Sequence, residues 1–498
     1  MASLTAVNDS QMSSADFGFF ADRHNKMHTV ITYSILLVNT FLIVVLLLME
    51  RRRPSATWAW ILLILLSSAI GFMFYLTVGR SPRKRNLVMR KRIADERHRA
   101  ELGENDTSGK NNDGWRWSDL VRLHWNEAGA VLHEGNDIGI FTDGNSKFSD
   151  LCRGLREARK SIHMEYYIFR DDETGREILS ILEEKALEGL EVKIIHDGMG
   201  TWRLSRRFFS GLVRKGGRVA CFFRPYIPPF RFQLKYRNHR KICIVDGKSA
   251  WLGGFNIGDE YRSRSSRFGY WRDTHLSISG PAVRSIEACF LLDWQFAARE
   301  RGIILGSSVH ELPHTGNSRM QIVSSGPDWK WNAIHNGFFR MITSAKRSIY
   351  IQTPYFIPDE PILAALRVAA MSGIDVRLMI PKNPDQRFVY GATMSYVGDI
   401  IDAGVRCFTY EKGFLHSKVI CVDGEVASVG SANMDIRSFE LNFEINAFIY
   451  DIDIVRQLEE TFLADIEDCS EITTDSYAER GVGERMVEQL ARLLSPLM

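Results

Sequence analysis

A chain of 498 residues, 45% hydrophobic and 25% charged, is long enough for two domains with full cores. Its net charge of +3 selects no class of partner, so recognition by charge has to be local. The seven cysteines are odd in number and lack paired metal-ligand spacing. Most lie in apolar runs (Cys221, Cys243, Cys407, Cys421), so they read as reduced, buried small hydrophobes in a reducing compartment.

In chain order, residues 1–29 are largely polar and irregular, and a mobile segment is expected there. VITYSILLVNTFLIVVLLLM (30–49) carries no charge, and about 20 helical residues cross a bilayer core. A second apolar run, WAWILLILLSSAIGFMFYLTV (58–78), has Trp58 and Trp60 at its start and Tyr75 near its end, as interfacial aromatics should be placed. Both runs are apolar on every side, unlike buried helices of a soluble domain, and a cleaved signal peptide explains one such run but not two. The expectation is a two-helix transmembrane hairpin over 30–78. Arg80, Arg83, Lys84, Arg85, Arg90, Lys91, Arg92, Arg97 and Arg99 outnumber Arg51–Arg53, so the positive-inside rule puts the large C-terminal part in the cytoplasm. Residues 79–117 read as a linker, basic and suited to anionic headgroups at first, then polar and rich in Gly and Asn.

The remainder is built twice. FSDLCRGLREARKSIHMEYYIF (148–169) parallels FFRMITSAKRSIYIQTPYFI (338–357), each a helix with three-to-four apolar spacing followed by a strand. GLEVKIIHD (189–197) and GIDVRLMIP (373–381) continue the parallel. Alternating helices and strands imply an α/β layered fold. The repeat is too long for a solenoid unit and reads as a duplicated domain, 118–315 and 316–498, with the copies related by a pseudo-twofold axis.

NHRKICIVDGKSAWLGGFN (238–256) and LHSKVICVDGEVASVGSAN (415–433) are the most specific correspondence. Residues two apart on a strand share a face, so His239 points with Lys241, and His416 with Lys418. Asp246 and Asp423 have the opposite parity and precede Gly, a strong turn signal, so each reads as a turn or supporting residue. The next strand returns and ends near Asn256 or Asn433, each 17 residues after its His, with Gly253 and Gly430 placed to let backbone approach a ligand.

A single His-x-Lys on a strand is weak evidence, but the whole pattern recurring at matching places is hard to explain by packing. Two such faces meeting would give one site with two His, two Lys and two Asn. The lysines and amides suit a phosphate diester and the extra charge of its transition state. One His can attack phosphorus and form a phosphohistidine. The other can protonate the departing alkoxide and then deprotonate the incoming alcohol. A lysine beside each His repels cations, so no metal is expected, and the chemistry needs no cofactor. Asp273 in YWRDTH follows the first motif and Glu444 in NFEIN the second; each is a candidate to orient a histidine.

These motifs resemble those of the phospholipase D superfamily, and the chain is similar to its bacterial cardiolipin synthases. The likeness runs from the N-terminal apolar hairpin through GGFNIGDEY (253–261), TPYFIPDE (353–360), AGVRCFTYEKGFLHSK (403–418) and GSANMDIRSFELNFE (430–444) to ARLLSPLM. One departure, KYRNH (235–239), lacks an expected Asn before the Arg. The resemblance implies two tandem phospholipase D-like domains behind the hairpin, at the bacterial inner membrane, multi-pass, with the catalytic domains cytoplasmic. It counts His239, Lys241, Asp246, His416, Lys418 and Asp423 as the catalytic motif residues, with Asn256 and Asn433 binding phosphate. It implies phosphatidyl transfer between two phosphatidylglycerol molecules, giving cardiolipin and glycerol, with no nucleotide and no nucleic acid. It also makes His239 the nucleophile and His416 the acid/base; the residues alone do not order the two.

CFFRPYIPPFRF (221–232), aromatic and Pro-rich, is a candidate loop for lipid access, TPYFIPDE a candidate lining of the same cleft, and Arg387 and Tyr390 weaker candidates. A membrane phospholipid phosphodiesterase, with water as acceptor, is the alternative reading. The apolar runs and the lack of a basic, aromatic-interleaved groove oppose a nuclease, and the intact motifs oppose an inactive scaffold.

Overall fold

The computed structural model describes residues 14–49, 54–75, 114–205, 207–223, 236–300 and 312–495. They divide into two units, the N-terminal helices and the body from 114 onward.

The first unit holds α1 (Ser14–Met49) and α2 (Pro54–Phe74). They pack through Leu46, Ile64 and Tyr75, while Val30, Leu36, Leu37, Phe41 and Leu48 of α1 stay exposed. Helix begins at Ser14, so residues 14–29 are not the irregular segment expected from their polarity; residues 1–13 lie outside the described set. The stretch Thr29–Leu48, with mean hydropathy 2.5, is long and apolar enough to cross a membrane. The second expected span is interrupted. Ser68 has φ 46° and ψ −122°, leaving Thr57–Ser68 as a shorter apolar stretch. Beside the break, Ser67 Oγ donates to the Leu63 carbonyl at 2.6 Å. Among the described residues there is thus one spanning-length apolar helix. The basic stretch Arg80–Arg99 lies outside them.

The body is a mixed α/β fold around one large connected sheet. Its first half supplies β1 (Leu132–Asp143), β2 (Ser161–Tyr166), β3 (Glu191–His196), β4 (Arg218–Cys221), β5 (Arg237–Asn238), β6 (Lys241–Val245), β7 (Ser249–Gly253) and β8 (Tyr270–Ser279). Its second half supplies β9 (Ser318–Ser325), β10 (Ser348–Gln352), β11 (Phe356–Ile357), β12 (Asp375–Pro381), β13 (Arg406–Tyr410), β14 (Gly413–Leu415), β15 (Val419–Val422), β16 (Val426–Gly430), β17 (Met434–Asp435), β18 (Asn442–Ile449) and β19 (Cys469–Ile472). From the central antiparallel pair β1–β9, one side runs β1–β8–β7–β6–β2–β3–β4. The other runs β9–β18–β16–β15–β10–β12–β13, then β19. Strand order and pairing sense recur on the two sides.

Capping explains where the flanking helices start. Asp143 accepts amide hydrogens from Asn145 and Ser146 ahead of α3 (Gly144–Glu157), and Asp359 precedes α4 (Glu360–Met371) with Pro361 in its first turn. Aliphatic side chains of both sides share one core, including Ile242, Leu252 and Leu276 with Val419, Val429 and Ile445. Burying each such side chain contributes roughly 1.5–3 kcal/mol. Residues 115–128, expected as linker and first-domain start, pack instead in the core of the second half through Trp117, Leu120, Val121 and Ala128. Two helices complete the parts needed below, α5 (Arg387–Ile401) and α6 (Val482–Leu494).

Candidate active site

Two very short strands bring the motifs together. β5 lies parallel to β18, with Asn238 opposite Phe443, and the His239 amide donates to the Phe443 carbonyl at 2.9 Å. The residue after Phe443 is Glu444. β14 lies parallel to β8, with Leu415 opposite Arg272, and the His416 amide donates to the Arg272 carbonyl at 2.7 Å. The residue after Arg272 is Asp273. Each histidine is thereby set against the acid of the opposite half.

Nδ1 of His239 lies 3.1 Å from both carboxylate oxygens of Glu444 and 3.1 Å from the Ser431 carbonyl. Surrounded by acceptors, Nδ1 carries the hydrogen, which leaves the lone pair on Nε2. Nδ1 of His416 lies 2.6 Å from Asp273 Oδ2, with the same consequence. Both acids are wholly buried. Ser431 Oγ and Asn442 Nδ2 also donate to Glu444, at 2.5 and 3.1 Å, and the Thr274 amide donates to Asp273 at 2.8 Å. Burial pushes both acids up. It is outweighed by His239 and Lys241 at Glu444, and by Lys418 and His416 at Asp273, so both sit below the ordinary carboxylate range.

Burial is also the main influence on the histidines. It brings His239 down to about 4, with Lys241 and Lys418 assisting and Glu444 opposing. It brings His416 down to about 3, with Lys418 and Lys241 assisting and Asp273 opposing. Both imidazoles are therefore neutral at pH 7. Lys241 Nζ donates to the His239 carbonyl at 2.5 Å, and Lys418 Nζ donates to the His416 carbonyl. Each motif thus ties its lysine to its histidine's backbone. Burial lowers Lys241 well below its ordinary value and Lys418 to about 8. Each histidine is influenced by both lysines, so the four side chains form one electrostatic cluster.

The description "Cardiolipin synthase, PLD-like domain" matches residues 151–265 and 338–466, and "Phospholipase_D-nuclease N-terminal" matches 37–80. The cardiolipin synthase of Listeria innocua is 43% identical over 478 residues, covering 93% of this chain and 98% of its own. The major cardiolipin synthase ClsA of Bacillus subtilis is 42% identical over 478 residues, covering 94% of this chain and 99% of its own. The chain belongs to the cardiolipin synthase family of phospholipase D-like enzymes. It is an enzyme of phospholipid biosynthesis, and membrane association is in keeping with its apolar helix. The crystal structure of phosphatidylserine synthase from Haemophilus influenzae Rd KW20 shares the fold, with a TM-score of 0.59 at 14% identity, covering 76% of this chain and all of that one.

Within this cardiolipin synthase family member the remaining motif residues separate by position. Asp246 and Asp423, counted with the catalytic motif, do not join the histidine cluster. Both have left-handed φ, 56° and 59°, and each is followed by a glycine at φ 64°, as a two-residue hairpin turn requires. The Asp246 carboxylate accepts from the amides of Arg159, Lys160 and Ser161 at 2.9, 2.6 and 3.0 Å. That of Asp423 accepts from Lys346, Arg347 and Ser348 at 2.9, 2.7 and 2.9 Å, and also from Arg116. Each aspartate fastens its hairpin to the loop that enters β2 or β10.

The two asparagines are not equivalent. Asn256 Oδ1 accepts from the Ile168 amide at 3.1 Å, whereas Asn433 Nδ2 donates to Asp435 at 3.2 Å and Asn433 Oδ1 is buried without a hydrogen-bond partner. Asn433 therefore turns its donor toward a carboxylate, unlike a simple phosphate ligand. Gly253 and Gly430 serve neighbouring strands rather than a ligand: a Cβ would fall 2.6 Å from the Thr274 carbonyl oxygen in β8, or 2.4 Å from that of Ile445 in β18.

The described start of the proposed access loop is buried. Phe222 and Phe223 pack on Phe443 with ring centroids 5.0 and 5.9 Å away; residues 224–232 lie outside the described set. TPYFIPDE supplies β11, which pairs with β17 just after Asn433, and Tyr355 Oη donates to Asp385 at 2.6 Å. Arg387 opens α5, and Tyr390 lies by Glu488 of α6. Sequence reasoning passed over Tyr167, whose ring meets His239 edge-on at 5.0 Å and lies 5.5 Å from Lys241 Nζ. It also passed over Ser431 and Asn442, which hold Glu444. Only their closeness to the motifs could have marked them. Among the described residues no cysteine is in a disulfide, five of the seven are buried, and burial pushes the Cys243 thiol up to about 12.

Proposed function

We propose that this enzyme transfers a phosphatidyl group from one phosphatidylglycerol to another, giving cardiolipin and glycerol through a phosphohistidine. The observation that carries the reading is the pair of neutral imidazoles, each with a buried carboxylate on Nδ1 and a buried lysine beside it.

In the first step Nε2 of His239 forms a bond to the phosphorus of the donor, and the phosphorus–oxygen bond to the headgroup glycerol breaks. His416, which takes up a proton on Nε2 from solvent as the anionic donor binds, delivers that proton to the leaving oxygen. Burial and, after it, the lysine charges hold His416 down; the bound diester anion offsets those charges, and Asp273 stabilises the imidazolium. In the second step His416 takes the proton of a glycerol hydroxyl on the second lipid. That oxygen bonds to phosphorus and the phosphorus–nitrogen bond breaks, so one phosphodiester replaces another. Lys241, Lys418 and Asn256 hold the phosphoryl oxygens as charge builds.

In the same reading the body is a tandem pair of phospholipase D-like domains about a pseudo-twofold axis, which the recurring strand order supports. The N-terminal helices act as a two-span hairpin, with the catalytic body on the cytoplasmic face of the bacterial inner membrane.

The test supplies purified full-length protein in vesicles with phosphatidylglycerol alone. Diphosphatidyl product and free glycerol in equal amounts are expected. Phosphatidic acid as the sole product would replace this reading with that of a hydrolase.

A further inference from the structure

Helix α6 carries an apolar face that is left exposed among the described residues. Val482, Met486, Val487, Leu490 and Leu493 recur at helical spacing and are between 51% and 76% exposed. The helix is held by its other side. Glu488 and Ala491 are buried against α5, where Ala491 Cβ would lie 3.6 Å from a Cβ at Gly391. Arg492 pairs with Asp399 at 2.6 Å, and Arg480 pairs with Glu488 at 2.6 Å. Tyr396 and Ser495 hydroxyls meet at 3.1 Å. A firmly anchored helix therefore presents five aliphatic side chains outward, while several charges along its flank are satisfied within the protein.

Its support leads to the histidine cluster. α5 begins two residues after Asp385, which receives the Tyr355 hydroxyl at 2.6 Å and acts electrostatically on Lys418. Phe388, in the first turn of α5, adds a further exposed apolar side chain, 42% accessible.

We propose that this face of α6 rests in the interfacial layer of a phospholipid bilayer, with its aliphatic side chains among the upper acyl chains, and so holds the body against the surface from which substrate enters. The proposal rests on the lipid-transfer reading above. Area decides between a bilayer and a second copy of the chain. A helix of 13 residues is about 20 Å long and presents a face about 10 Å wide, so the patch covers roughly 200 Å². A stable protein interface needs about 800 Å² per partner. Insertion into an interface has no such minimum, because it scales with the apolar area buried. The bilayer is also the apolar surface always within reach of a chain bearing the Thr29–Leu48 helix. Since charges are not the attraction, the contact should resist salt.

The experiment uses the full chain in radiolabelled phosphatidylglycerol vesicles, with a benzophenone amino acid in place of Leu490 or, as control, of the exposed Val213. On illumination the label at 490 should form a lipid adduct several-fold above that at 213, unchanged at roughly 1 M salt, where charges are screened beyond about 3 Å. Equal lipid labelling at both positions, or a protein–protein adduct at 490, would overturn the proposal. In parallel, the combined variant Met486→Glu, Leu490→Glu, Leu493→Glu should lose about tenfold in transfer on vesicles while keeping its rate on short-chain, freely dissolved phosphatidylglycerol. Unchanged activity on both substrates would also count against it. Lack of any transfer by the unaltered enzyme, with the lipid adduct at 490 present, would overturn the lipid-transfer reading and leave the docking face standing.

Discussion

Glu444 holds the Nδ1 hydrogen of His239 at 3.1 Å although 205 positions separate the two residues in the chain. Asp273 does the same for His416 across 143 positions, at 2.6 Å. The exchange follows from two parallel pairings, β5 on β18 and β14 on β8, each of which stops one residue short of the acid it delivers. The relationship carries distinct expectations for the two acids.

Glu444→Gln and Asp273→Asn should each lower turnover by about 10²–10⁴-fold, the range spanned by positioned acid–base groups and by loss of a triad carboxylate. They should differ in the step affected. With an aryl phosphodiester donor, which needs no acid for its leaving group, loss of Glu444 slows formation of the phospho-enzyme, and loss of Asp273 slows only its breakdown. Rapid-quench measurement of labelled enzyme separates the two. Equal effects of both variants on formation would refute the division of roles.

An aryl phosphodiester, whose leaving group needs no proton, isolates the nucleophile. His416→Ala should still form an acid-labile phospho-enzyme from such a substrate and should accumulate it, whereas His239→Ala should form none. Label retained in His239→Ala and lost in His416→Ala would reverse the assignment.

With the same substrate, the pH dependence of kcat/KM reports the free enzyme. His239 is lowered to about 4, chiefly by burial, so it stays unprotonated and nucleophilic as pH falls from 7 to about 5, and the rate should drop only near 4. An ordinary histidine would already lose activity near 6.5. On the alkaline side the rate should fall as the lysines lose their protons, Lys418 near 8, and Lys418→Arg should change the shape of that limb while leaving the part set by Lys241.

Asp246 and Asp423 should matter to stability before chemistry. Asn tolerates the left-handed φ of each turn but cannot satisfy the same amide hydrogens with a full charge, so Asp423→Asn should cost about 1–3 kcal/mol. Burial pushes Asp423 up, but the Ser348 amide and Arg116 hold it below its ordinary value. Its contribution is therefore complete above the unfolded carboxylate value of about 4 and is lost as pH falls through the lower folded value. Thermal melts should show the unaltered protein losing stability below about pH 4 more steeply than Asp423→Asn. A stable, fully inactive Asp423→Asn would contradict the turn assignment.

What could be read in advance was local. Parity along ICIV and VICV separates His and Lys from Asp, and Asp-Gly announces the hairpin, because both depend on neighbours within a few residues. The alternation of helices and strands likewise reveals an α/β body. The exchange of Asp273 and Glu444 was hidden, because strands of two and three residues leave no periodic trace and their partners lie far along the chain. Trp117 and Leu120 look like the start of the first domain in chain order, yet they are buried in the second half; amphipathic spacing tells that a face is covered, not by what. The break at Ser68 was missed for a related reason: hydropathy counts the serines of LLSSAIG as tolerable and says nothing of backbone torsions.

The crossed acids also bear on how the protein is made. A ribosome that has released only the first half has produced His239 without its carboxylate, and a second half alone would hold His416 in the same condition. In the proposed mechanism, the two ordered Nδ1 hydrogens are therefore in place only once Glu444 has emerged and both halves have folded together.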